Sequence, residues 1–282
     1  MKTYISTGIG DMMALDAVIS PEEKKSISEF YWASRFGSKL IPLFENNSEY
    51  PNLKKHHIID DEKGKIAMST IDPVAVPFWH FRPDYHPNFQ IGLDLFGIKN
   101  EEIQIIDVME RFSSVCSDVR CGKNLDEFYY GSSFIKNAKN PNIGNYILFH
   151  YPTSTRPRHD IATIEQSDWE FVEKLSNKTG LKVVIVSDCD IAVPLSNCQL
   201  LVNPDINTII NLISYSEYYA GCDSFCGILS SKRLPKEKIY MKTHDKNIKQ
   251  NIHNTNAYYY CYFLPHSPED LKHFYKSYIG EP

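Results

Sequence analysis

No apolar run in this 282-residue chain approaches the roughly 20 residues that a bilayer span needs. The start of the chain lacks the basic, apolar and small-residue order of a secretory leader. A soluble, cytoplasmic protein without stable membrane insertion is the expectation. There is no CxxC pair among the seven cysteines, Cys116, Cys121, Cys189, Cys198, Cys222, Cys226 and Cys261. An odd, scattered set fits reduced, packed thiols rather than a disulfide framework. Cys222 and Cys226 come closest in sequence, but no second pair or histidine cluster completes a zinc site, and no metal is expected. Positive charge is not in excess either. The net charge of −5 argues against a global field for nucleic acid or membrane. Short-period internal repeats are absent.

What remains is an ordinary globular composition, 42% hydrophobic and 23% charged. The length suits two domains or one large α/β domain. Charge is uneven in one place: Lys232 to Lys249 holds seven Lys/Arg against Glu237 and Asp245. That segment is either a binding rim or a solvated linker.

The rest of the chain is organised around its opening, Tyr4 to Leu15. A β-prone run enters the glycine turn Gly8-Ile9-Gly10, and Asp11 and an apolar helical segment follow. Gly8 and Gly10 allow backbone conformations and close approaches that a Cβ forbids. Asp11 falls in the first helical turn, where the dipole favours an ionised carboxylate. The C-terminal end of a parallel strand is also where open α/β sheets bind ligands. A capped βα turn without chemistry is the plainer alternative.

Along the first half, Pro21 to Lys25 reads as a charged connection. Ile27 to Ser34 reads as a strand and Arg35 to Phe44 as a helix. His56 to Asp60 and Lys65 to Thr70 read as further strands. His56 and His57, adjacent on a strand, point to opposite faces and suit a strand edge better than a ligand pair. Val74 to Pro87 carries Pro77, Pro83 and Pro87 among Phe78, Trp79, His80, Phe81, Arg82, Tyr85 and His86. Proline at this density excludes helix and central strand. The expected aromatic loop either covers the core or, through Trp79, His80 and Arg82, stacks on a sugar or base. A helix end at Gly92 to Ile98, a strand at Glu102 to Asp107 and a short helix over Arg111 to Val119 follow.

Asn137 to Asn145 is polar and broken by Pro and Gly, and marks the expected domain boundary. Beyond it, Tyr146 to His150 is a buried-type strand. Ser167 caps a helix to Asn177, which Gly180 ends. Leu181 to Val186 is a central parallel strand by its Val/Ile content. Gln199 to Val202 is another strand, and Asp205 caps a helix over Asn207 to Ser214. A strand near Glu217 leads to Asp223-Ser224, which opens a helix. Lys238 to Thr243 is a last strand, and Ser267-Pro268-Glu269-Asp270 starts a last helix.

Two α/β halves place a cleft between their strand ends. At the second half, Thr153, Ser154, Thr155, Arg156 and Arg158 offer hydroxyls and guanidinium groups suited to a diphosphate. Asp188 or Asp190, at a strand end, suits a ribose. Asp223 and Ser224 offer a carboxylate, a hydroxyl and helix N-terminal N–H groups. At the first half Asp11 is a candidate general base.

Three motifs, in this order, resemble the GT-B glycosyltransferases of the heptosyltransferase-like group (glycosyltransferase family 9). These are Gly8-Ile9-Gly10-Asp11, Ile147 to Ser154, and Ala220-Gly221-Cys222-Asp223-Ser224-Phe225-Cys226-Gly227, and together they span nearly the whole chain. The resemblance implies an α/β protein of two Rossmann-like domains facing each other across a cleft. Residues 1–140 form the acceptor side, 141–266 the nucleotide-sugar donor side, and 267–282 a helix packing back toward the N-terminal domain. It implies a metal-independent, cofactor-free transfer of a sugar from a nucleotide-sugar donor to a glycan or glycolipid hydroxyl. Asp11 is the base, and Asp223 and Ser224 contact the donor. Phe225 departs from the group's usual glycine, and the lysine usual after the first strand of the second domain is missing. Arg156 or Arg158 would then neutralise the leaving diphosphate. The same chemistry on a modified DNA base, and a non-catalytic nucleotide- or sugar-binding protein, are the alternatives. A dinucleotide-dependent oxidoreductase is disfavoured because Met13 stands where GxGxxG has its third glycine.

Overall fold

The computed structural model describes residues 1–5, 8–33, 37–59, 86–106, 111, 114, 127, 130–150, 164–222 and 224–242. The chain divides into two compact units, Met1–Ser133 and Phe134–Pro282. Each is an α/β unit built on a sheet of parallel strands. Among the described residues no helix is long and apolar enough to cross a membrane.

In the first unit the strands are β1 (Lys2–Ile5), β2 (Glu29–Trp32), β3 (Lys55–Ile58) and β4 (Gln104–Ile106), in the order β3-β2-β1-β4. The alternation of a strand sends successive side chains to opposite faces. Tyr4 and Tyr31 go to one face, where they meet Phe89, Leu93 and Phe96 of helix α4 (His86–Phe96). Phe30 and Trp32 go to the other, against Phe44, Tyr50 and His56. Among the described strands β3 lies at the edge of the sheet. His56 accepts a hydrogen bond from Trp32 Nε1 at 3.0 Å, and His57 stacks on Tyr31 with ring centroids 4.2 Å apart.

Three local expectations change here. Pro21–Ser26 is a helix, α2, not a connection: the Ser20 hydroxyl accepts from Glu23 N at 3.1 Å, with Pro21 at the start and Glu22 and Glu23 in the first turn. The helix expected over Arg35 to Phe44 is, within the described residues, a short α3 (Gly37–Leu40) running into a 3₁₀ turn at Ile41–Leu43. α4 begins at His86, inside the proline-rich aromatic segment. Pro87 is tolerated because the first turn of a helix leaves its N–H groups unpaired in any case. Residues 74–85, the strand expected at 65–70 and most of the helix expected at 111–119 lie outside the described residues.

A short helix, α5 (Ser133–Lys136), spans the division between the units. The polar stretch after it is tied to the second unit: Lys139 N donates to Asn211 Oδ1 at 2.7 Å. The second unit contains β5 (Tyr146–His150), α6 (Gln166–Thr179), β6 (Lys182–Ser187), β7 (Cys198–Val202), α7 (Ile206–Tyr215), β8 (Tyr218–Cys222), α8 (Phe225–Ser231) and β9 (Ile239–Lys242). The strand order is β7-β6-β5-β8-β9. All five residues of β5 are buried, as a central parallel strand requires. Ile147, Phe149, Val183 and Ile185 pack against Val172 and Leu175 of α6 on one face. On the other, the Tyr146 hydroxyl donates to Leu212 O of α7 at 2.6 Å.

Glu165, not Ser167, caps α6. Its carboxylate accepts from Asp168 N, and Asp168 accepts from Glu165 N at 2.9 Å, a reciprocal box that a serine two residues later cannot close. Gly180 ends that helix at φ 70°, and Asp205 caps α7 by accepting from Thr208 N at 3.0 Å. The helix expected from Ser267 lies outside the described residues.

Candidate functional site

Both sheets reverse direction beside their first strand. The chain steps from β1 outward to β2 and β3, then crosses to β4 on the other side of β1. It repeats this from β5 through β6 and β7 to β8. Loops leaving two such neighbouring strands diverge and open a crevice at their C-terminal ends, where doubly wound sheets hold ligands.

At the reversal of the first unit, β1 leads to Gly8, whose carbonyl accepts from Met12 N at 3.1 Å and so begins α1 (Ile9–Leu15). Gly10 and Asp11 are the second and third residues of α1, on the side of the β1 terminus. Met12, Met13 and Leu15 anchor the helix by complete burial. The Asp11 side chain lies outside what the structure describes.

Beyond α1 sits a buried network that no motif announced. The Asp16 carboxylate, fully enclosed, receives five donors. They are Lys24 Nζ at 3.0 Å, the Tyr50 hydroxyl at 2.9 Å, the Ser132 hydroxyl at 3.2 Å, Ser133 N at 2.6 Å and the Ser133 hydroxyl at 2.8 Å. Lys24, equally enclosed, also reaches Glu49 at 2.6 Å, and Asn47 donates to the Ser133 hydroxyl at 2.9 Å. Burying an ion pair is tolerable only with such complete hydrogen bonding. The network joins α1, α2, the segment after α3 and the end of the unit.

At the reversal of the second unit, β5 ends in His150 and β8 runs alongside it, pairing His150 with Gly221. A Cβ on Gly221 would lie 2.2 Å from the His150 carbonyl oxygen and 2.8 Å from the Tyr219 hydroxyl, so only glycine fits this approach. Ser224 stands at the N-cap position of α8 just beyond, without a capping bond from its side chain. Its Oγ lies 3.1 Å from His150 Nδ1 and 3.5 Å from the Tyr219 hydroxyl. The Phe225 ring stands edge-on to the imidazole at 5.9 Å. His150 is only 4% exposed, and burial pushes its pKa down to about 4, so the ring is neutral at physiological pH. Ser224 is half-buried.

Asp188 follows β6 at the same edge of the sheet and is exposed. It is about 10 Å from the β8 terminus, since β5 lies between. Ser224 and Asp188 are therefore on one rim. Asp223, Thr153, Ser154, Thr155, Arg156, Arg158, Trp79, His80 and Arg82 lie outside the described residues.

Sequence reasoning missed His150. The signal was present: a lone imidazole closing the apolar run Tyr146-Ile147-Leu148-Phe149 at the end of a central strand. Within the basic segment, Arg233 donates to the Ser216 and Ile213 carbonyl oxygens, and Lys238 pairs with Glu217 at 3.0 Å over the Tyr218 ring. Those two cations serve the fold of the second unit and not an open rim.

No protein-family profile matches the chain, and no curated protein matches it in sequence.

Proposed function

We propose that the chain is a nucleotide-sugar-dependent glycosyltransferase of the GT-B type, working in the cytoplasm. One observation carries the reading. Each unit has a parallel sheet that reverses its strand order beside its first strand, and the motif residues follow those strand ends: Gly8, Gly10 and Asp11 after β1, Ser224 after β8. A glycosyl transfer needs a base for the acceptor hydroxyl and donors or cations for the departing nucleoside diphosphate. In this reading Asp11 takes the acceptor proton as the new glycosidic bond forms. The bond from the sugar to the diphosphate breaks with its electron pair on the phosphate oxygen. Arg156 and Arg158, with Thr153, Ser154 and Thr155, hold that diphosphate, Asp223 and Ser224 contact the donor sugar or its phosphates, and Asp188 faces the ribose. Trp79, His80 and Arg82 meet the acceptor, a glycan or glycolipid hydroxyl. The nucleotide-sugar is a co-substrate, and the step needs no further cofactor.

A thermal-shift plate of UDP, GDP, ADP, CDP and TDP and their sugar conjugates, with NAD and NADP alongside, tests this directly. A ligand bound only by the folded state raises the melting temperature. A shift with one nucleoside diphosphate is expected and names the donor base. A shift with NAD or NADP alone sinks the reading. With the donor known, Asp11→Asn should abolish transfer while donor binding persists. Unchanged transfer removes Asp11 as the base, and binding without transfer in the wild type makes the protein a binding module.

A further inference from the structure

Among the described residues the second sheet has a bare edge at β7. The ladder to β6 fixes which way each residue there faces. Asn197 O accepts from Val183 N at 3.0 Å, and Asn203 N donates to Ser187 O at 2.7 Å. With the two-residue period of a strand, Asn197, Gln199, Leu201 and Asn203 turn their backbone groups toward β6. Cys198, Leu200 and Val202 turn theirs away, and among the described residues nothing bonds those N–H and C=O groups. The return segment from β6 does not shield them, since Ile191, Val193 and Leu195 pack on the face that α6 covers. Val202 is 47% exposed. Natural sheets blunt such an edge with lysine, proline or a bulge. β7 has none of these, and no charged residue occurs between Asp190 and Asp205.

The two ends of this edge differ in charge. Asp190 and Asp205 are exposed where β6 and β7 finish. Lys178, exposed, and Lys182, half-buried, stand where β6 starts. A second copy laid antiparallel along β7 brings the acidic end of each chain to the basic end of the other, whereas a parallel copy sets acid beside acid. The register closes as well. Asn203, at φ 47°, follows the last residue of the strand, so the midpoint of β7 is Leu200. A twofold axis there sets Leu200 opposite the partner's Leu200, and Cys198 opposite the partner's Val202. In an antiparallel ladder these become the pairs that exchange both backbone bonds, so every outward group of β7 finds a mate. An isologous contact needs this self-matching. We infer that β7 is a dimerisation edge: two copies of this chain join their second sheets through antiparallel β7 strands about a twofold axis at Leu200. β7 stands two places from β5 in the strand order, so the inference does not depend on the donor-site reading.

Sedimentation velocity of the full chain over a dilution series, with amide exchange on the same samples, tests this. Concentrated wild type should sediment as a dimer and protect the Cys198, Leu200 and Val202 amides, and dilution should release both together. Val202→Lys places a charge beside the partner's Cys198 and should weaken association at least about tenfold. Its melting temperature should hold when dilute, because Val202 is exposed. Asp190→Lys should weaken association about threefold, and adding Lys178→Asp should restore it. A wild type that stays monomeric at every concentration overturns the inference; protected outward amides in that monomer would mean that the chain covers its own edge. A dimer that leaves those three amides unprotected, or that Val202→Lys does not weaken, has its contact elsewhere and overturns the inference equally. A double variant that associates no better than Asp190→Lys alone overturns the antiparallel arrangement.

Discussion

His150 couples its proton to folding because it is neutral and nearly dry at the end of β5. Its folded pKa of about 4 lies below the ordinary 6.5. Above pH 6.5 neither state carries the proton and the residue adds no pH dependence. As pH falls from 6.5 the unfolded chain takes the proton first, so stability drops until both states are charged below about pH 4. The total loss is about 3 kcal/mol. Desolvation is the cause, with no charged neighbour contributing. Urea midpoints across that range should slope for the wild type and flatten for His150→Asn; equal slopes would contradict the burial argument. Asp16 is a buried charge of the opposite kind, paired and saturated with donors. Asp16→Ala strands Lys24 with Glu49 alone and should cost about 3–5 kcal/mol, read as an early unfolding transition in denaturant. A loss under about 1 kcal/mol would mean that water reaches Lys24 in the variant.

Among elements, the tightest constraint is the approach of β5 and β8. Gly221→Ala drives a methyl into the backbone carbonyl of His150, and backbone cannot swing aside as a side chain can. The expected cost is about 2–3 kcal/mol, with nucleotide affinity lowered as well because Ser224 lies three residues on. A melting temperature equal to wild type would show that the strands part at no cost. Ser20→Ala should remove about 1 kcal/mol by freeing the Glu23 N–H, unless water replaces the hydroxyl. These elements also show what a sequence can disclose. Gly180 and Asp205 are legible because a cap is an event of four or five neighbouring residues. Ser20-Pro21-Glu22-Glu23 carries the same kind of signal, yet six residues without an apolar stripe read as a connection. The apolar runs of β5 and β6 disclose central strands, and Gly8 to Asp11 a strand-to-helix turn. The site was half legible for the same reason. Ser224 stands at a recognisable helix start, whereas its partner His150 is 74 positions away, and nothing local links them.

For the molecule as a whole, two units with separate cores imply that a ligand of the second leaves its mark there. A nucleoside diphosphate should slow amide exchange through β5, β8 and α8, where the strand order reverses, and leave β2 and β3 unchanged. Protection confined to the first unit would move the donor site to Asp11 and empty the second of its proposed role. The Asp16 network sets the order in which this can be built. Its carboxylate waits for Ser132 and Ser133, 116 and 117 positions downstream, and until they arrive three of its five donors are missing. During synthesis the first unit therefore cannot close on its own early strands; it remains open to chaperones and proteases until its last residues leave the ribosome. Stalled nascent chains should become protease-resistant over β1 to β3 only once Ser133 has emerged from the tunnel.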